Sequence, residues 1–268
     1  MRPRYTVNCS LLFTDLPLLA RPAAAKAAGF DAVEFWWPFT HAVPGDRELD
    51  AFAAAVIDAG VTLTGLNFFA GDMAGGDRGL LSWTGRAAEF RDNIDVAVGL
   101  GARLGVEGFN ALYGNRINGV AAGEQDALAV ENLVLASAAA ARAGARVLLE
   151  PISGAERYPL RTLADAHDVL LRAATAGATR VALLADLYHL AVNGDDVDKS
   201  IATHLDRIGH VQIADAPGRG EPGTGALPLT TWLDDLYRAG FAGRVGLEYI
   251  PATDDPFGWL PSADRSTT

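Results

Sequence analysis

Residues 122–150 read AGEQDALAVENLVLASAAAARAGARVLLE, and the punctuation inside that stretch decides the fold. Alanine and leucine at helical spacing run up to Gly144, which supplies the left-handed turn that stops a helix. Arg146–Glu150 then reads as a short β-rich run. The same unit recurs in both directions along the chain. Strands are predicted at Tyr5–Cys9, Ala32–Trp36, Thr62–Leu66, Val106–Ala111, Arg146–Glu150, Arg180–Asp186, Ile208–Ala214 and Val245–Tyr249. Helices are predicted near 15–28, 46–59, 84–104, 122–144, 162–176, 195–206 and 229–239, most of them closed by a glycine such as Gly60, Gly105 or Gly177. Strands that alternate with helices pair in parallel through crossovers. Eight units favour a closed (β/α)8 barrel over a doubly wound open sheet, and the 268 residues suit the ~250 that a barrel needs. The expected organisation is one barrel over residues 1–254 and a short, polar, loose tail over 255–268.

Composition narrows the function. Half of the residues are hydrophobic and 21% are charged, as in an ordinary globular chain with a sizeable core. The formal net charge is −11, no basic cluster occurs, and lysine is confined to Lys26 and Lys199, so a nucleic-acid partner is not expected. The single cysteine, Cys9, forms no internal disulfide. No apolar run approaches the ~20 residues that span a bilayer. Asn8, Cys9, Ser10, Thr14 and Asp15 break the N-terminal apolar stretch into pieces too short for a signal peptide. A soluble, cytoplasmic protein is expected, without a membrane partner.

Chemistry gathers at the ends of the last four strands. These carry Glu150, Asp186, Gln212 and Glu248 in turn. Each alone has an ordinary reading, as a helix cap or an arginine partner. Together, at the C-terminal rim where barrel active sites lie, they form an oxygen cage. Three buried carboxylates would repel one another and titrate high. A hard divalent cation, Mg²⁺ or Mn²⁺, relieves that cost and suits oxygen ligands. His189 follows Asp186 by three residues, in the loop just off the strand, where a neutral imidazole can bond a substrate hydroxyl. His210 shares the inward face of Gln212 and is expected to support it or pack in the core.

Two loops stand out. Gly218-Arg-Gly-Glu-Pro-Gly223 matches G-x-G-x-x-G only formally, because it follows the seventh strand and Pro222 interrupts any helix there. Its Arg219 overhangs the rim and is a candidate for an anionic substrate. Asn67–Gly79, long and glycine-rich after the third strand, carries Arg78 as a second candidate. No nucleophile elbow, Cys–His pair or zinc-protease motif is present.

The segments Gly209-His-Val-Gln-Ile-Ala-Asp-Ala-Pro-Gly-Arg-Gly-Glu-Pro-Gly-Thr-Gly225, Ala70-Gly-Asp-Met-Ala-Gly-Gly-Asp-Arg-Gly79, Glu89-Phe-Arg-Asp92, Leu149-Glu-Pro-Ile152, Asp186-Leu-Tyr-His189 and Gly246-Leu-Glu-Tyr249 closely resemble signatures of the hydroxypyruvate isomerases. These enzymes belong to the xylose isomerase-like TIM barrel superfamily. The resemblance runs from about Asn8 to Glu248 and is most specific in the loop after the seventh strand. It implies that Glu150 and Glu248 are the acid/base pair and that Glu150, Asp186, Gln212 and Glu248 bind the metal. It implies substrate contacts from Glu156 and His189, with Asn67, Arg78 and Arg219 as further candidates. Glutamine rather than histidine at position 212 points to hydroxypyruvate isomerase instead of a ketose 3-epimerase. Two departures concern substrate identity: Ser153 stands where the family has asparagine, and Glu156 where aspartate is common. The implied reaction interconverts hydroxypyruvate and 2-hydroxy-3-oxopropanoate through an enediolate. Alternatives are a ketose 3-epimerase, a 2-oxo-tetronate isomerase, a sugar dehydratase, an endonuclease of the superfamily and a non-catalytic sugar-binding barrel. The partner expected is a small keto acid or ketose; assembly into a homo-oligomer is left open.

Overall fold

The computed structural model describes residues 3–266. Eight parallel strands close into a barrel in sequence order: β1 (Arg4–Asn8), β2 (Ala32–Phe35), β3 (Thr62–Asn67), β4 (Gly108–Asn110), β5 (Arg146–Leu149), β6 (Val181–Asp186), β7 (Ile208–Ile213) and β8 (Arg244–Leu247). β8 returns to β1 with Arg4 opposite Arg244 and Val7 opposite Leu247. Around them lie α1 (Arg21–Ala27), α2 (Asp46–Ala59), α3 (Ala87–Leu104), α4 (Ala122–Arg142), α5 (Leu163–Thr175), α6 (Leu187–Asn193), α7 (Val197–His204) and α8 (Leu229–Arg238). The chain is the (β/α)8 barrel that the sequence predicts, with every strand in its expected place.

Successive strand residues point to opposite faces, and this parity splits the protein into two regions. Val7, Val33, Phe35, Leu63, Phe109, Val147, Leu149, Leu183, Val211, Ile213, Val245 and Leu247 face the helices and join one continuous apolar core. The alternate residues face the barrel lumen. There the apolar side chains Leu148, Ala182 and Leu184 form a small separate cluster. Much of the remaining lumen is polar, and Thr6 and Thr64 share a hydrogen bond of 2.8 Å across it. The site is rooted in this polar column.

Three features differ from the sequence expectations. The helix expected at 15–28 begins only at Arg21, after a 3-10 turn at Leu18–Ala20, because Pro17 and Pro22 cannot donate in a helix interior. An extra helix, α6, follows β6 without any loop, since Asp186 is both the last strand residue and the helix cap. The segment from Asp255, expected as a loose tail, packs against the barrel as far as it is described; residues 1–2 and 267–268 lie outside the described residues. Phe257 and Leu260 are buried, with the Phe257 ring 4.9 Å from that of Phe30. Arg265 ties the segment down by donating to the carbonyls of Leu260, Ala28 and Phe257. Among the described residues no helix is long and apolar enough to cross a membrane.

Candidate active site

The C-terminal mouth of the barrel holds a cavity of about 600 Å³, lined by Glu150 and Glu248 together with Trp36, Asn67, Arg78, Ser153, His189 and Arg219. Apolar walls come from Met73, Leu112 and Ile152. Asp186 and Gln212 lie beneath it, directly paired between β6 and β7.

Glu150 follows β5 and is buried, accepting a 2.6 Å hydrogen bond from Asn110 Nδ2. Its backbone carbonyl accepts from the Tyr158 hydroxyl at 2.8 Å, which fixes the turn that carries it. Burial, then the neighbouring Glu248 and Asp186, holds its carboxyl well above the usual carboxylate range; Asn110 and Arg219 act in the opposite sense. Glu248 follows β8. One of its oxygens accepts from Trp36 Nε1 at 3.2 Å and from Arg219 at 2.8 Å, and the other from Asn8 Nδ2 at 3.1 Å. Burial pushes its pKa up to about 8, against the lowering pull of Arg219 and with Asp186 and Glu34 raising it further.

Asp186 is fully buried, and one oxygen caps α6 by accepting from the amides of Tyr188 and His189. Its other oxygen, Oδ2, has no hydrogen-bond partner, and neither has Gln212 Oε1. Orphaned buried oxygens are costly. Two of them on paired strand positions, beside two glutamates whose pKa values are raised, form a donor set that fits a hard divalent cation. Glu150, Asp186 and His189 also bring ligand atoms within 4.8 Å of one another, a group compatible with a divalent metal.

His189 was expected in a loop and stands in the first turn of α6. Its Nδ1 faces the Ser153 backbone N–H at 3.1 Å and the Ser153 hydroxyl at 2.7 Å, while Nε2 lies 3.6 Å from Asp186 Oδ2. Burial lowers its pKa to about 4, with Asp186 opposing and Arg219 reinforcing the shift. The ring is therefore neutral near pH 7. A backbone amide can only donate, so Nδ1 accepts and the single ring proton sits on Nε2.

Arg219 does not merely overhang the rim. Its guanidinium reaches inward, 2.8 Å from Glu248 and 3.5 Å from Asp186, and lies 5.5 Å from the Tyr188 ring centroid. Its backbone adopts φ 59°, where non-glycine residues are uncommon. The loop enforces this: Asp215 accepts from the amides of Ala216, Gly223 and Leu227, and the Ile250 amide donates to the Arg219 carbonyl at 2.8 Å. Arg78 lines the cavity while donating to the carbonyls of Met73 and Asp77. Glu156 is not brought into the site. It is exposed in the turn before Tyr158, outside the cavity lining, so its expected substrate contact has no geometric basis here.

Sequence reasoning missed Asn8, Glu34, Trp36 and Asn110. Glu34 is the most informative: 2% exposed, it bonds His210, Gln212 and Asn8 at once. The missed signal was parity. Glu34 interrupts the apolar run AVEF, as Asn110 interrupts GFN, at the positions that face the lumen.

A family model described as Xylose isomerase-like TIM barrel matches residues 22–265. A protein of Streptomyces coelicolor named "Putative hydroxypyruvate isomerase" is 54% identical over 98% of this chain and 97% of its own length. A protein of Cupriavidus necator named 2-oxo-tetronate isomerase is 34% identical over 96% of this chain and 97% of its own. A crystal structure from Brucella melitensis, described as an AP endonuclease of family 2, has a TM-score of 0.86 and 30% identity, covering 96% of this chain and 98% of that one. With its closed eight-stranded barrel and near full-length similarity to these isomerases, the chain belongs to the xylose isomerase-like TIM barrel family, in its hydroxypyruvate isomerase branch.

Proposed function

We propose that the protein is a Mg²⁺- or Mn²⁺-dependent isomerase that interconverts hydroxypyruvate and 2-hydroxy-3-oxopropanoate, with Glu150 and Glu248 as the acid/base pair. The observation that carries this reading is the presence of two buried glutamates, both titrating high, on the wall of one cavity. A carboxyl raised above its ordinary range is better matched to giving and taking protons. One glutamate removes the proton from C3, and the other moves the hydroxyl proton as hydrogen is returned at C2. The carbon skeleton and oxidation level of the whole molecule are unchanged.

Glu150, Asp186 and Gln212 would hold the metal, with Glu248 at the edge of the set. When bound, the cation stabilises negative charge that develops on the substrate oxygens. The orphaned oxygens of Asp186 and Gln212 support this assignment. His189 is assigned to the substrate. Its proton lies on Nε2, which faces Asp186 Oδ2 at 3.6 Å, and the ring lines the cavity. The Ser153 backbone N–H, which donates to Nδ1, sets that tautomer. Arg219 and Arg78 flank the position for the substrate carboxylate, with Asn67 beside them.

The 2-oxo-tetronate isomerase reading is retained because a relative of that name is 34% identical and the cavity has room for one more carbon. The endonuclease description belongs to the Brucella protein; a chain with net charge −11 has little to offer a phosphate backbone. Incubation with each candidate in D₂O, followed by proton NMR, tests the assignment. Deuterium should enter C2 of 2-hydroxy-3-oxopropanoate formed from hydroxypyruvate. Faster turnover of the four-carbon acid would move the substrate assignment, and no exchange with any keto acid or ketose would end the isomerase reading.

A further inference from the structure

Glu34 lies one layer below the acids, and nothing in the proposed proton transfer uses it. Its Oε1 accepts from Gln212 Nε2 at 2.7 Å and from Asn8 Nδ2 at 3.2 Å, and its Oε2 lies 2.8 Å from His210 Nε2. Space for it is built into two neighbouring strands. A Cβ at Gly246 would stand 2.6 Å from Oε1, and one at Gly65 would stand 3.2 Å from Oε2.

An amide side chain has two ends that differ in chemistry and hardly in shape. A carboxylate accepts only, so a buried Glu34 admits one orientation of each amide beside it. The Gln212 NH₂ must face Glu34, which turns Oε1 away, and that oxygen is the buried one without a partner. Asn8 is fixed likewise. Its NH₂ bridges Glu34 and Glu248, while its oxygen accepts from the Ser10 amide at 3.0 Å.

We infer that Glu34 is a positioning residue that holds the Gln212 amide with its oxygen toward the metal position. The inference rests on the reading of Gln212 as a metal ligand. Outer partners of metal ligands commonly change affinity 10–100-fold when removed. Here the effect is directional, since a reversed Gln212 would present N–H groups to the cation.

Calorimetric titration of metal-free protein with Mn²⁺ tests this, with thermal melts as the control for folding. E34L removes the acceptor and should weaken Mn²⁺ binding about 10–100-fold. E34Q keeps one acceptor oxygen and should bind nearly as tightly as the wild type. The double variant E34L/Q212E should recover affinity, because a carboxylate has no wrong way round. With Q212E alone as the reference, E34L should then cost little affinity, whereas a merely structural role for Glu34 predicts the same loss in either background. Wild-type affinity in folded E34L, or failure of Q212E to rescue it, overturns the inference. If E34L does not melt cooperatively, E34D withdraws the acceptor by one methylene while keeping the charge, and unchanged Mn²⁺ affinity there overturns it equally. Absence of Mn²⁺ binding by the wild type removes the metal reading first and this inference with it; normal binding by both wild type and E34L removes this inference alone.

Discussion

Replacing Glu248 by glutamine separates proton transfer from every other task at that position. The carboxylate accepts from Trp36 and Arg219 on one oxygen and from Asn8 on the other. In the amide one end becomes a donor and must face a donor. The smaller loss is to keep oxygen toward Arg219 and Trp36 and to turn NH₂ toward Asn8, which forfeits one buried hydrogen bond at about 1–3 kcal/mol. Against this, the substitution removes the cost of ionising a carboxyl that burial, Asp186 and Glu34 already disfavour. Arg219 keeps Asp186 at 3.5 Å. The two effects oppose each other, so E248Q should melt within about 5 °C of the wild type. Turnover should fall about 10²–10⁴-fold, the usual worth of a general acid–base group, equal to roughly 2.7–5.5 kcal/mol of barrier. Steady-state turnover of hydroxypyruvate and deuterium incorporation by NMR both read this loss, and saturating Mn²⁺ should leave it in place. Near-normal turnover in folded E248Q would refute the acid–base role. Full rescue by excess Mn²⁺ would reduce Glu248 to a ligand.

Other perturbations follow from the same geometry. R219M removes the cation 2.8 Å from Glu248 and should lower kcat/KM for keto acids about 10²-fold, in line with one lost charge-assisted hydrogen bond, measured against a neutral ketose; equal loss for both would make the arginine purely structural. Exhaustive chelation should abolish turnover and Mg²⁺ or Mn²⁺ should restore it, whereas full activity in a verified metal-free sample would sink the metal reading. D215N should cost about 2–4 kcal/mol near pH 7, because backbone amides around the loop hold the Asp215 carboxyl below its ordinary pKa despite burial. A depressed native pKa stabilises above the unfolded value and is lost as pH falls through the native one, so the gap in melting temperature between wild type and D215N should narrow on acidification; a constant gap would assign the loss to packing.

Much of this was legible in the sequence, and the reason is mechanical. Glycine stops such as Gly105 and Gly177 mark helix ends wherever the chain needs a left-handed residue, and both adopt positive φ. Glu150, Asp186, Gln212 and Glu248 could be picked out as candidates because each sits within a residue of a strand end, where a barrel collects chemistry. What stayed hidden lacks a local mark. The α6 helix has no residue between it and β6, so no turn signal separates them. Glu156 was carried over by its offset from Glu150, and it stands exposed beyond Ile152, Ser153 and Gly154, which line the cavity. The inward reach of Arg219 depends on Asp215, four residues before it, and on Ile250, which follows β8 and meets it only in the fold. Glu34 and Asn110 were readable only through strand parity, a rule that also separates Glu248 from the apolar residues beside it.

That parity explains why the site is electrostatically unbalanced. Outward strand residues build the apolar shell, so stability does not require the lumen to be apolar. The lumen and its mouth then collect Glu34, Glu150, Asp186 and Glu248, all buried, against Arg219 and His210. Arg219 contacts Glu248 and approaches Asp186, while His210 is engaged by Glu34. Glu150 is left with a neutral partner, Asn110. Its carboxyl is the one held well above the usual range with both Glu248 and Asp186 raising it. Burial raises both glutamate pKa values first, and the excess of buried negative charge, which also suits a divalent cation, raises them further. Glu150, Asp186 and Gln212 would hold a cation there, and its charge would offset part of that excess. Proton transfer and metal binding are in this sense one electrostatic problem, set by residues on alternate positions of the same strands.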